Sequence, residues 1–250
     1  MHAEQHIDTE AGVFFQRVEF DCPARDLAAI REAFAPIEAR FGMQAQVRAS
    51  GDRPRIAILA SAQPHCLTDL LARASSGELN AEITVVISNH AQHASLAAFH
   101  GIDFHHLPVT PETRDKQERT LVEVLQKYDV ELVVLARYMQ ILGSRVLGSY
   151  PARIINIHHS FLPAFVGARP YHQAQQRGVK LIGATAHYAT ADLDEGPIIA
   201  QDVTAVSHRD SVGDLVRKGR DLETVVLARA VRAHVEHRTL VFGNKTVVFG

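Results

Sequence analysis

The sequence predicts an α/β protein, a mostly parallel sheet with helices on both faces, preceded by a small partial ββαβ unit. Three observations predict it. Beyond residue 54, short β-branched runs alternate with segments of helical periodicity, the pattern of strand–helix–strand units. One of those runs, Ile154-Ile155-Asn156-Ile157-His158, is apolar and then turns polar, as a buried parallel strand does at the carboxyl end where open sheets place ligands. Before it, Ala49-Ser50-Gly51-Asp52-Arg53-Pro54 has linker composition and divides the chain into 1–50 and 55–250.

In order, strands are expected over 5–8 and 13–21 around Thr9-Glu10-Ala11-Gly12, with Phe14, Gln16, Val18 and Phe20 on one face and Phe15, Arg17 and Glu19 on the other. Leu27, Ile30, Phe34, Ile37 and Phe41 recur at steps of three and four, an amphipathic helix that Pro36 should bend and Gly42 should stop. Met43, Ala45 and Val47 alternate as a third strand. After the linker, strands are expected over 55–60, 83–88, 105–107, 132–135 and 154–157, and helices over 66–73, 95–100, 119–128 and 144–150. A polar loop over 163–170 leads to a short helix over 171–176. Strands follow over 181–188 and 198–206, then a long helix over 211–238 and a hairpin over 239–249 turning at Gly243-Asn244.

Composition excludes several classes of function. A formal charge of -2 and a pI near 6.7 give no general affinity for nucleic acid or an anionic membrane, so a small soluble substrate is expected. There is no apolar run of spanning length, the opening Met1-His2-Ala3-Glu4-Gln5 is not a signal-peptide start, and Cys22 and Cys66 are the only cysteines. A reduced, cytoplasmic protein is the expectation. The 15 histidines raise the question of metal, but neither His105-His106 nor His234 with His237 belongs to a zinc-binding spacing, so no metal is expected.

The chemistry concentrates around the fifth strand of the larger unit. Alternation puts Asn156 and His158 on one side of it, an amide beside a titratable ring. Asp194, in the turn Leu193-Asp194-Glu195-Gly196-Pro197, is a candidate third member. An amide donor, an imidazole and a carboxylate can stabilise an oxyanion and move protons without a metal. The plainer readings are a strand-end cap for Asn156 and a turn residue for Asp194. Ser160 lacks the Gly-x-Ser-x-Gly elbow of a serine nucleophile. The segment Leu135-Ala136-Arg137-Tyr138-Met139-Gln140-Ile141-Leu142 reads as a strand entering a loop that could wall a flat aromatic ligand.

These residues carry a resemblance. Asn156-Ile157-His158-His159-Ser160-Phe161-Leu162-Pro163-Ala164-Phe165, with Gly167-Ala168-Arg169-Pro170-Tyr171-His172-Gln173-Ala174, resembles the formyltransferase family that handles 10-formyltetrahydrofolate. Residues 178–188 and 193–199 resemble its second signature, and Ser88-Asn89-His90 with the stretches 104–111 and 135–142 point to its deformylase branch. The resemblance spans about 55–249. It implies a formyltransferase-like fold and hydrolysis of 10-formyltetrahydrofolate to formate and tetrahydrofolate, in one-carbon metabolism and purine synthesis, with the folate as substrate and no cofactor. By position, Asn156 would bind the formyl oxygen, His158 would stand beside it, and Asp194 would orient water and relay protons. Met139, Ile141 and Leu142 would hold the pterin ring with the loop that runs from His187 through Thr190 to Asp194.

Two departures from the family bear on function. In transferases that formylate glycinamide ribonucleotide, a glycine-rich turn after the first strand binds phosphate. Here the turn reads Ala60-Ser61-Ala62-Gln63-Pro64-His65-Cys66-Leu67, with no glycine and one amide removed by Pro64. Water is then the expected acceptor; formyl transfer to an amine and a non-catalytic folate-binding or regulatory protein are the alternatives. The resemblance also implies a βαββαβ ACT module at the amino terminus, and residues 1–50 match it only from its second strand. A partial module leaves apolar surface for another subunit to cover, so a homo-oligomer is expected.

Overall fold

The computed structural model describes residues 1–22, 26–163 and 170–250. The small unit consists of β1 (His2–Asp8), β2 (Val13–Glu19) and α1 (Leu27–Phe41). The larger unit runs β3 (Arg55–Ala60), α2 (His65–Ser75), β4 (Glu82–Ser88), α3 (Ala94–Phe99), β5 (Asp103–His106), α4 (Arg114–Lys127) and β6 (Leu132–Ala136). It continues through α5 (Ser144–Ser149), β7 (Ile154–His158), α6 (Pro170–Arg177), β8 (Leu181–Tyr188), β9 (Ile198–Ala205), α7 (Val212–Val235), β10 (Thr239–Phe242) and β11 (Lys245–Val248).

The seven-stranded sheet has the order β5-β4-β3-β6-β7-β8-β9. Neighbours are parallel from β5 to β7, while β8 and β9 are antiparallel. Continuous apolar strands are what burial on both faces demands, and β3 shows how the residues divide. Ile56, Ile58 and Ala60 join one core with α2 and α7, whereas Ala57 and Leu59 join the other with α4 and α5. α7 starts where it does because Ser211 and Asp214 form a capping box, the Ser211 hydroxyl accepting from the Asp214 N–H and Asp214 accepting from the Ser211 N–H. Among the described residues no helix is long and apolar enough to cross a membrane.

The small unit departs from expectation in one element. The third strand expected at Met43, Ala45 and Val47 does not form, leaving a ββα unit. Its backbone groups find helix side chains instead of a strand edge: the Ala45 N–H donates to Glu38 and the Val47 carbonyl accepts from Arg31. α1 continues through Pro36 and ends at Gly42, whose φ of 62° is the left-handed conformation that glycine adopts at helix ends. None of its residues is buried, and Phe41 is 64 % exposed.

β1 and β2 dock on the last residues of the chain. Phe15 packs its ring edge-on to Phe242 at 5.7 Å, Arg17 donates to the His237 carbonyl at 3.2 Å, and Lys245 pairs with Asp8 at 3.0 Å. The loop expected over 163–170 lies largely outside the described residues, with motif residues Ala164, Phe165, Gly167, Ala168 and Arg169.

Candidate active site

The strand order places β7 between parallel β6 and antiparallel β8, so the carboxyl end of β7 faces residues of both. In that register Asn156 stands opposite Leu135 on one side and His187 on the other. The Asn156 Nδ2 lies 3.2 Å from His187 Nε2, while His187 Nδ1 lies 3.0 Å from the Tyr188 carbonyl oxygen. A carbonyl only accepts, so Nδ1 carries the His187 proton and Nε2 accepts from the amide. The β8–β9 pairing shifts register between Ala186 and His187, and irregularities of this kind re-aim side chains next to active sites.

Asp194 reaches this strand pair from the turn between β8 and β9. Its φ of 59° is left-handed, a conformation that Asp tolerates better than most residues, and Gly196 lets the turn lie against β8. A Cβ at Gly196 would collide with the Tyr188 carbonyl oxygen. The Asp194 Oδ1 lies 3.1 Å from His158 Nδ1 and 3.7 Å from His187 Nε2. The hydrogen bond from His158 is the leading cause that, against the opposing effect of burial, holds the Asp194 carboxyl well below the usual carboxylate range, so it is an anion at neutral pH. With Nδ1 committed to Asp194, His158 keeps its Nε2, which is buried and has no hydrogen-bond partner among the described residues.

Asn156, His158 and Asp194 are thus brought together as one constellation, and His187 joins it. His187, expected among the ring-holding residues, is 2 % exposed, with Nε2 against Asn156 and Nδ1 on the Tyr188 carbonyl. Met139 and Ile141 are each 60 % exposed on the loop after β6. Leu142 is only half-exposed and packs on the core under that loop, and Thr190 is exposed, its hydroxyl donating to the Asp192 carbonyl at 3.0 Å.

Behind β7, Thr185 accepts from the Leu162 N–H at 3.0 Å and donates to the Ser160 carbonyl at 2.9 Å, pinning the chain as it leaves the strand. Sequence reasoning missed this pin and also missed Glu223, a buried carboxylate on α7. Its signal was a charged residue among Leu215, Gly219, Leu222 and Val226, at the spacing of the helix's inward face.

An open α/β sheet here carries an amide, an imidazole and an ionised carboxylate together at its carboxyl edge, groups able to stabilise an oxyanion and move protons. The formyl transferase family profile matches residues 54–231, which contain all three groups, and the chain belongs to that family. Within it the chain is 54 % identical to the formyltetrahydrofolate deformylase of Synechocystis sp. over 251 residues, covering 100 % of this chain and 88 % of that one. The crystal structure of a formyltetrahydrofolate deformylase from Burkholderia mallei superposes with a TM-score of 0.95 at 46 % identity, covering 100 % of this chain and 89 % of the other. That of glycinamide ribonucleotide transformylase 1 from Symbiobacterium toebii gives 0.76 at 34 % identity, covering 84 % and 99 %.

Proposed function

We propose that this protein hydrolyses 10-formyltetrahydrofolate to formate and tetrahydrofolate, as the names of its deformylase relatives describe. The observation that carries the chemistry is the His158–Asp194 pair with the His158 Nε2 left over, beside the Asn156 amide. Asn156 donates to the formyl oxygen and stabilises the negative charge that grows there when water adds to the carbon. The water proton passes to the His158–Asp194 pair and returns to N10 of the folate as the C–N bond breaks, releasing formate. The formyl group is already an activated acyl donor, so orienting water and stabilising the oxyanion are sufficient, and no covalent nucleophile or cofactor is invoked. Met139, Ile141 and Leu142 with the Thr190 loop hold the pterin ring, and His187 serves by fixing the Asn156 amide.

Transfer to an amine is disfavoured by the turn after β3. It has no glycine for close backbone approach to a phosphate and one amide fewer at Pro64, and its Ser61 N–H already donates to the Arg137 carbonyl at 3.3 Å. Purified, metal-stripped protein is expected to release formate and tetrahydrofolate in equal amounts without an amine. Turnover only with glycinamide ribonucleotide would make it a transferase, and tight folate binding without turnover would make it a binding protein.

The small unit, residues 1–50, is proposed to be part of an ACT-like module that serves assembly, a second subunit covering the bare stripe of α1. A fully active monomer in sedimentation would count against this. A cytoplasmic location accords with free Cys22 and Cys66 and a folate substrate.

A further inference from the structure

Glu223 is 1 % exposed on the inner face of α7, and three other elements converge on it. Its Oε1 accepts from the Tyr171 hydroxyl of α6 at 2.9 Å, and its Oε2 lies 2.7 Å from Nε2 of His65 at the start of α2. The same Oε2 lies 3.3 Å from Nε of Arg137, just past the end of β6, an ion pair whose N–H is not aligned as a hydrogen bond. Burial works to raise the Glu223 pKa, but the hydrogen bond from His65 and the charge of Arg137 outweigh it, and the net direction is downward. Glu223 is therefore a buried anion, stable only while its partners stay in place.

Cys66 Sγ lies near the same group, within 4.8 Å of the His65 and Glu223 ligand atoms. Burial and the Glu223 charge push its thiol pKa upward, which keeps it protonated, and Arg137 already occupies the carboxylate. The cluster is an ion-paired knot rather than a cage for a cation.

The knot reaches the reacting groups through His159. The His159 ring stands edge-on to His158 at 5.0 Å and edge-on to Tyr171 at 6.2 Å. Burial, with the charges of Arg137 and His158, lowers the His159 pKa to about 4, so it is a neutral ring at neutral pH. Its Nδ1 has no hydrogen-bond partner among the described residues, so packing between Tyr171 and His158 sets its orientation. Arg137, with a left-handed φ of 60°, also begins the turn that presents Met139, whose N–H donates to Ser61 Oγ at 2.9 Å.

We propose that Glu223 is a positioning residue for the hydrolytic step: by clamping Tyr171, His65 and Arg137 on one buried carboxylate it fixes His159, and through His159 the ring of His158 that faces Asp194. The inference rests on the assignment of hydrolysis to Asn156, His158 and Asp194. Glu223 itself is buried and is held by protein side chains, so its loss acts on turnover more than on folate affinity.

The test compares Glu223→Gln, Tyr171→Phe and Asp194→Asn, each first shown to be folded by its melting curve. Glu223→Gln is expected to lower kcat about tenfold, and Tyr171→Phe, which removes only a hydroxyl, about threefold, both with KM for 10-formyltetrahydrofolate within about twofold. In spectra of nitrogen-labelled histidine, both variants are expected to move the ring resonances of His158 and His159, which Glu223 does not contact. If Glu223→Gln does not fold, Tyr171→Phe alone decides. Wild-type kcat in the folded variants, or resonances that move only at His65, overturns the proposal while Asp194→Asn stays inactive. An active Asp194→Asn would instead overturn the assignment on which the proposal rests.

Discussion

The protein holds two carboxylates against imidazoles and treats them differently. Asp194 sits on a turn in left-handed backbone, partly open to solvent, with His158 and His187 on one of its oxygens. Glu223 sits in the middle of a 24-residue helix and is shared by an arginine, a histidine and a tyrosine. The first carboxylate leaves its imidazole a nitrogen for chemistry, whereas the second is saturated by its neighbours. Reaction requires approach, which a turn provides, and rigidity requires saturation, which a helix against a core provides.

The largest effect should come from Asp194→Asn, which tolerates the same backbone but loses the charge. Formate release is expected to fall about 10³–10⁴-fold. Next, Asn156→Ala removes the oxyanion donor and leaves His187 Nε2 without it; a rise in barrier of roughly 2–4 kcal/mol should appear in kcat. Gly196→Ala leaves both carboxylates intact but forces the Asp194 turn off the Tyr188 carbonyl, so kcat should drop about 10²-fold.

The Glu223 side should also respond in stability. A Cβ at Gly219 would collide with the Tyr171 hydroxyl, so Gly219→Ala should cost about 1–3 kcal/mol in urea denaturation, although alanine normally stabilises a helix interior. The smallest effect is in pH dependence. Because the Asp194 pKa is lowered by folding, its contribution to stability is fully present above the ordinary value of 3.8 and is lost as pH falls through the lower folded value. Urea midpoints for Asp194→Asn should therefore fall less steeply than wild type as pH drops below about 5.

Much of this was legible in the sequence because it was local. The apolar-to-polar switch at Asn156 and His158 marks a strand end, and the Asp-Glu-Gly-Pro turn marks where a carboxylate can be presented. β3 and β8 have the bounds that their composition suggested. The expected strand at Met43, Ala45 and Val47 had the right alternation, but alternation cannot supply a partner strand, and α1 side chains took its backbone groups. His187 looked like a loop residue beside a ring pocket because the register that sets it opposite Asn156 depends on pairing across the sheet. Glu223 was invisible for a related reason. Its partners lie 158 residues away at His65 and 52 away at Tyr171, and no periodicity connects positions so distant.

The clasp between β2 and the end of the chain also sets an order of events in synthesis. Arg17 bonds the carbonyl of His237, 220 residues later, and Phe15 packs against Phe242, made later still. At about 5–20 residues per second, the first hairpin leaves the ribosome roughly ten to forty-five seconds before its docking surface exists. Phe15, which packs on Phe242 in the folded protein, therefore stays without that cover while the intervening residues are made.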